Sequence, residues 1–192
     1  NPLGAIRNAI YYIRSTLQNS PVFDTDLRKI VNLAEEEVDG AVMIIEELLD
    51  FSRVVNLVPR KTNLNELLDS LKQIITFPEN IKLDWDLDMT LPSATVDPDR
   101  LKQVFCNIAN NAVQAMPNGG NLSIRSRFEV TTNSSDNMTT ATNREMVGIS
   151  FTDTGIGIDP IHLAKIFEPL FTTKVRGTGL GLAISSNIIE KH

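Results

Sequence analysis

The sequence predicts a helical hairpin followed by an α+β sandwich, and three observations predict it. From Leu3 to Leu48, apolar residues recur at alternating steps of three and four, the period of a helix seam. Beyond residue 60, helical periods alternate with the two-residue period of half-buried strands. Between the two halves, Val58-Pro59-Arg60-Lys61 breaks both patterns and reads as a linker, which places one domain at 1–58 and a second at 62–192. A chain of 192 residues with 42% apolar content is long enough for one full domain plus a smaller module.

The first helix carries its seam on Leu3, Ile6, Ile10, Ile13 and Leu17, and Asn19-Ser20-Pro21 interrupts it. Asp24 or Thr25 can cap the second, whose seam runs Leu27, Val31, Ala34, Val38, Ala41, Ile45 and Leu48. Ile30, Ile44, Leu49 and Phe51 widen that stripe beyond what one short partner helix covers. Two helices cannot enclose a core alone. Either the hairpin pairs with a second copy into a four-helix bundle, or it packs on the rest of its own chain; the symmetric dimer is the more economical way to bury the stripe.

In the second half, Leu64, Leu67, Leu68, Leu71 and Ile75 mark a helix over 63–76, and Ile81, Leu83, Trp85 and Leu87 alternate as a strand over 81–87. Asp97-Pro98 is a helix start, a capping carboxylate followed by Pro at the first helical position. That helix runs to about Met116, burying Leu101, Val104, Phe105, Ile108, Ala112 and Ala115, and stops at Pro117-Asn118-Gly119-Gly120. Strands follow at 121–130 and 146–153. Ten of the fourteen residues 131–144 are Ser, Thr or Asn, so this stretch lacks apolar anchors and reads as a mobile hairpin loop. Helices near 160–167 and 179–191 complete the pattern. Helices mixed with antiparallel strands in this way make an α+β sandwich.

Composition removes several function classes. The net charge of −6 argues against a nucleic-acid binder, which shows a basic stripe. No run of about 18 apolar residues is present for a membrane span, and Asn1-Pro2 opens no signal-peptide pattern. A single cysteine, Cys106, excludes an intramolecular disulfide, and with two histidines there are too few soft ligands for structural zinc.

Three clusters carry chemistry. Asn107, Asn111 and Gln114 stand at i, i+4 and i+7 of the 98–116 helix, so their amides share a face. That face is either a solvated polar surface or a set of neutral oxygen donors suited to Mg²⁺ beside phosphates. Asp153-Thr154-Gly155-Ile156-Gly157 follows a strand; a strand-end carboxylate can accept from an exocyclic amino group such as adenine's, and the glycines let backbone approach a base. Gly177-Thr178-Gly179-Leu180-Gly181-Leu182 leads into a helix whose unpaired N–H groups suit phosphate. Its G-x-G-x-G spacing is neither a dinucleotide fingerprint nor a Walker loop, and a flexible turn capping the helix remains the simpler alternative. Between the last two clusters, Phe167 and Phe171 with Lys174 and Arg176 can form a lid that brings cations near phosphates.

In this order and spacing, the clusters resemble the ATP-binding domain of two-component sensor histidine kinases. The N box is Asn107-Ile108-Ala109-Asn110-Asn111-Ala112, the G1 box Asp153-x-Gly155-x-Gly157, the F box Phe167 to Phe171, and the G2 box Gly177-Thr178-Gly179-Leu180-Gly181. Phe171-Thr172-Thr173-Lys174 and the short lid are most similar to the nitrogen-regulation subgroup. The N-terminal hairpin, ending in Leu48-Leu49-Asp50-Phe51-Ser52-Arg53, resembles the family's dimerisation and phosphotransfer domain. The resemblance therefore implies a dimeric four-helix bundle followed by a sandwich of the histidine kinase, gyrase and Hsp90 type. It also implies ATP and Mg²⁺ as cofactors, a homodimer, a response-regulator receiver domain as partner, and a cytoplasmic setting.

By residue, the resemblance implies Asp153 for adenine with Gly155 and Gly157 beside it, Asn111 as the Mg²⁺ ligand with Asn107 next to it, and Gly177, Thr178, Gly179, Leu180 and Gly181 around the phosphates, with Lys174 as a further cation. The family's acceptor motif reads His-Glu-x-x-Asn-Pro. Asn1-Pro2 matches its end, so the acceptor is expected four positions ahead of Asn1, in a trimmed core of a longer kinase, and Asn1 can orient water for dephosphorylating the regulator. His162 and His192 are expected at the surface. Two rivals are an ATPase of the same wider fold, which would carry Glu where Asn107 stands, and a non-catalytic nucleotide-binding scaffold.

Overall fold

The computed structural model describes residues 2–17, 25–52, 56–133, 142–174 and 177–192. The roles expected of Asn1, Asp24 and Arg176 and the middle of the expected loop, 134–141, lie outside these residues.

Two long helices come first, α1 (Pro2–Leu17) and α2 (Thr25–Ser52). Ion pairs Arg7–Asp39 at 3.2 Å and Arg14–Glu35 at 2.6 Å run in opposite directions along the two helices, so they lie antiparallel. Exposed pairs of this kind contribute little energy, and the apolar stripe has to hold the hairpin. Within one chain that stripe is only partly covered. Val31 is buried, but Ile6, Ile13, Ile45 and Leu48 remain 43–46% exposed. Among the described residues no helix is long and apolar enough to cross a membrane.

The second half is built on two sheets. Arg60–Thr62 (β1) pairs antiparallel with Ala94–Val96 (β3), so two residues read as linker are strand. Short strands without alternating apolar residues give no periodic signal. The larger sheet has the order β2 (Ile81–Leu87), β4 (Gly120–Asn133), β5 (Thr142–Asp153). Its β4 and β5 pair antiparallel from Leu122↔Asp153 to Asn133↔Thr142, so the strands reach into both ends of the stretch expected as loop. Its β2 and β4 are parallel, from Ile81↔Gly120 to Leu87↔Ser126, which corrects the expectation of antiparallel strands throughout. The chain between them passes through β3 and a long helix, a crossover that returns the strand in its original direction.

Helices cover one face of this sheet. Asn63 caps α3 (Leu64–Asp69), accepting from the N–H groups of Asn65 and Glu66. The single helix expected over 63–76 is broken: α4 (Leu71–Ile74) follows Ser70, whose hydroxyl donates to the Leu67 carbonyl at 2.6 Å and competes with the helical ladder. The spine is α5 (Pro98–Ala115), as Asp97-Pro98 predicts. Leu101, Val104, Phe105 and Ala112 are buried as expected, and Ala109 joins them fully buried, while Ile108 packs at the edge. Cys106 also packs against the core, and burial pushes its thiol pKa up. A short α6 (Pro160–Leu163) and α7 (Gly181–Glu190) follow, with Ile184 and Ile188 of α7 in the core.

The head of α5 is a hydrogen-bonded junction. Asp97, 5% exposed, accepts at one oxygen from the N–H groups of Asp99 (3.0 Å) and Arg100 (3.1 Å), and at the other from Val58 N–H (2.8 Å). Its own N–H donates to His192 Nε2 at 3.0 Å. His192 Nδ1 lies 2.8 Å from the Ile188 carbonyl, so the ring spans from α7 to the head of α5. His192 lies at the surface, as expected, and there it ties α7 to the head of α5. Burial alone would raise the Asp97 pKa, but the Val58, Arg100 and Asp99 N–H donors outweigh it and hold the carboxyl below its usual value.

Replacing Asp97 with Ala is expected to destabilise the fold by about 1–2 kcal/mol in urea titration, the range for a lost capping side chain. A carboxyl with a lowered folded pKa stabilises fully above its unfolded value of about 3.9. The difference between wild type and Asp97→Asn is therefore expected to persist at neutral pH and to shrink as pH falls through the folded pKa.

Candidate functional site

Three separate segments meet α5 along one line of its surface, at Asn107, Asn111 and Gln114-Ala115. The first is the turn after β5. Asp153 is exposed at the strand end, and its Oδ1 accepts from Gly155 N–H at 2.9 Å. Ile156 N–H then donates to the Ala115 carbonyl at 3.0 Å, which fastens the turn to α5. The approach is close enough that a Cβ on Gly155 would lie 2.6 Å from the Ala115 oxygen and 2.7 Å from its Cβ. Gly157, with φ +70°, turns the chain away from the helix through a conformation that side chains disfavour.

The second segment contains the aromatic pair. Phe171 packs its ring on His162, centroids 5.5 Å apart, whereas Phe167 is 55% exposed. Leu170 adopts φ 68°, unusual for a branched residue, and its N–H donates to the Gly179 carbonyl at 3.0 Å. The strained residue is thus held by the third segment. From here Lys174 reaches back to α5: its ammonium donates to Asn111 Oδ1 at 2.6 Å and to Gln114 Oε1 at 2.5 Å. Partial burial lowers the Lys174 pKa from the ordinary lysine value.

The third segment is the glycine run into α7. Thr178 Oγ1 accepts from Leu180 N–H at 3.2 Å and donates to the Glu47 carboxylate of α2, the described contact that joins hairpin and glycine run. Leu180, grouped by sequence with the phosphate cradle, has its side chain in the core, leaving only its backbone to the site. A Cβ on Gly181 would stand 2.4 Å from Asn107 Oδ1. Asn107 in turn donates through Nδ2 to Ser185 Oγ at 2.9 Å, and Ser185 Oγ donates to the Gly181 carbonyl at 2.9 Å.

Asn107 therefore faces α7, and Asn111 and Gln114 face the loop of Lys174. The amide of Asn111 is oriented by its neighbour, since its Nδ2 lies 3.5 Å from Asn107 Oδ1 and its oxygen points to Lys174. Ser185, 5% exposed, is the site residue that sequence reasoning missed; a hydroxyl four positions after Gly181, one turn into α7, was the signal available for it. Among the described residues there is no cluster of three or more His, Cys, Asp or Glu to hold a metal. The donor set that does converge on a cation is a pair of neutral amide oxygens, chemistry that fits Mg²⁺ bound mainly through a ligand's phosphates.

Comparisons with known proteins identify a family for the chain. The family described as histidine kinase-, DNA gyrase B- and HSP90-like ATPase matches residues 96–192, from the head of α5 to the end of α7. The sensor histidine kinase ZraS of Escherichia coli O157:H7 is 33% identical over the whole chain, which spans 39% of that protein. Among solved structures, ShkA in complex with AMPPNP shares the fold with a TM-score of 0.70 at 24% identity, over 97% of this chain and 37% of that one. Histidine kinase ThkA in complex with the response regulator TrrA has a TM-score of 0.65 at 26% identity, over 99% of this chain and 52% of that one. With its amide-bearing helix, its two glycine turns and matches of this extent, the chain belongs to the histidine kinase-, DNA gyrase B- and HSP90-like ATPase family, among the sensor histidine kinases.

Proposed function

We propose that this chain is the core of a cytoplasmic histidine protein kinase: it binds Mg²⁺·ATP, directs the γ-phosphate to a histidine of a dimeric helical hairpin, and passes it to an aspartate of a response-regulator receiver domain. Residues 1–58 serve dimerisation and phosphotransfer and 62–192 bind ATP. The observation that carries this reading is the meeting of Asp153, Lys174 and the α7 glycines along the amide face of α5. Phosphoryl transfer depends chiefly on positioning and charge neutralisation, and this arrangement offers both.

In this reading Asp153 keeps one oxygen on Gly155 N–H and offers the other to the adenine amino group. Gly155 and Gly157 bring backbone against the base. Asn111 holds Mg²⁺ through Oδ1, and the ion, when bound, neutralises phosphate charge. The glycine run from Gly177 to Gly181 lays backbone N–H groups along the phosphates, where α7 contributes unpaired donors: its first bond along the helix is Ile184 N–H to the Leu180 carbonyl. Asn107 does not touch the reacting atoms and positions α7 through Ser185. It is an amide, and unlike a glutamate it cannot take a proton from water, which weighs against the ATPase alternative. The response regulator TrrA bound to ThkA supports the receiver-domain assignment. The exposed stripe on α1 and α2 supports a homodimer.

Calorimetry is expected to show Mg²⁺-dependent ADP binding that weakens by about 1–3 kcal/mol in Asp153→Ala, the range for a polar partner left unpaired, without change in circular dichroism. Unchanged affinity would remove Asp153 from the site. The proposal as a whole is tested by acid-labile phosphate incorporation on the full-length protein, with mapping of the labelled residue. Label is expected on a histidine of the first helix; label on His162 or His192 would contradict it. Sedimentation of the chain at micromolar concentration is expected to give a dimer that Ile13→Glu or Leu48→Glu converts to monomer.

A further inference from the structure

Building on the nucleotide reading above, we infer that Lys174 is a tethered rival of the divalent cation: its ammonium and the metal are alternative occupants of the Asn111 amide oxygen, so loading metal and nucleotide displaces Lys174 and shifts the loop that carries it. The ammonium sits between two amide oxygens, Asn111 Oδ1 at 2.6 Å and Gln114 Oε1 at 2.5 Å, one helical turn apart on α5. Both acceptors are neutral, and among the described residues Lys174 makes no ion pair with a carboxylate. The site therefore attracts a cation by its dipoles and does not cancel the cation's charge. The Asn111 amide is turned this way from behind, because its nitrogen faces Asn107, which is itself committed to Ser185.

One oxygen cannot serve both cations. Mg²⁺ demands its ligands at about 2.0–2.1 Å in octahedral geometry, and an ammonium on the same oxygen would stand beside it as a like charge. The doubly charged ion, arriving with phosphates, wins that exchange. Lys174 cannot leave alone. Its backbone N–H donates to Thr172 Oγ1 at 3.1 Å, and a Cβ on Gly177 would lie 3.0 Å from that same hydroxyl and 3.3 Å from Lys174 Cβ. Thr172, Lys174 and Gly177 are thus packed on one another, so moving Lys174 disturbs Gly177 at the start of the phosphate cradle. Lys174 is thereby a specificity-determining residue for the metal: it sets how much Mg²⁺ is needed before the loop is released.

The test is a series of calorimetric ADP titrations of the 192-residue chain from EDTA through rising free Mg²⁺. Lys174→Met is expected to lower about tenfold the free Mg²⁺ that gives half of the metal-dependent gain in ADP affinity, the size of one charge-assisted hydrogen bond no longer in competition. Gln114→Leu, which removes one of the two ammonium acceptors, is expected to move the midpoint the same way by a smaller factor. Thermal melts of both variants check that the fold is intact; both side chains lie at the surface. A midpoint unchanged or raised in Lys174→Met overturns the inference. So does a loss of ADP affinity by the same factor at every Mg²⁺ level, which would make Lys174 a phosphate contact only. A wild-type chain that binds no ADP at any Mg²⁺ level removes the nucleotide reading and the inference with it, whereas ADP binding with an unmoved midpoint removes the inference alone.

Discussion

The site exists because two stretches of backbone approach α5 more closely than any side chain allows. Gly155 meets the Ala115 carbonyl and Gly181 meets the Asn107 amide, each at a distance where an added Cβ would overlap a heavy atom. Both contacts fall on backbone or on an amide that is already hydrogen-bonded, so neither can give way cheaply. Bring either glycine outward by the width of a methyl group and the turn after β5, or the start of α7, loses its register with the amide face. Asp153, the lysine loop and the N–H groups of α7 would then no longer share one space.

The chemistry of that face is neutral by construction. Carboxylates are absent from the meeting point on α5, where the side chains are Asn107, Asn111 and Gln114. Amides offer an acceptor and a donor from one planar group, and here the two ends are put to different uses. Asn107 turns its nitrogen to Ser185, and Asn111 turns its nitrogen to Asn107 and its oxygen outward. A chain of such groups transmits orientation: the direction of the outward oxygen is fixed by a buried serine on another helix. A carboxylate in place of Asn107 would have no proton to give Ser185, and Ser185 already spends its own on the Gly181 carbonyl.

Much of this was legible in the sequence because it rests on period and spacing. The cap at Asp97, the helix it starts, the amide positions at i, i+4 and i+7, and the glycine runs are all local patterns, and each falls where the pattern places it. What was not legible is what depends on two distant segments meeting. Arg60–Thr62 has no alternation and becomes a strand only because Ala94–Val96 lies beside it. The parallel pairing of β2 with β4 follows from the path of the crossover, which no residue in either strand announces. His192 looked idle because its partners, the Asp97 N–H and the Ile188 carbonyl, are backbone groups and carry no side-chain signature. Ser185 was passed over for a different reason: its partner Asn107 lies 78 residues away, so nothing local marks it among the polar residues of α7.

The bond from Val58 N–H to the Asp97 carboxylate gives the molecule a mechanical character. The strand that begins at Arg60 is anchored in its sheet, and Val58 is pinned to the head of α5 just before it. A displacement of Val58 therefore reaches the head of α5 directly, before the first helix beyond β1. That contact sits at the end of α5, about 15 Å along the axis from Asn107 at 1.5 Å per residue. The same carboxylate that starts the helix is thus also its bearing against Val58, and α5 carries that contact to the line of Asn107 and Asn111.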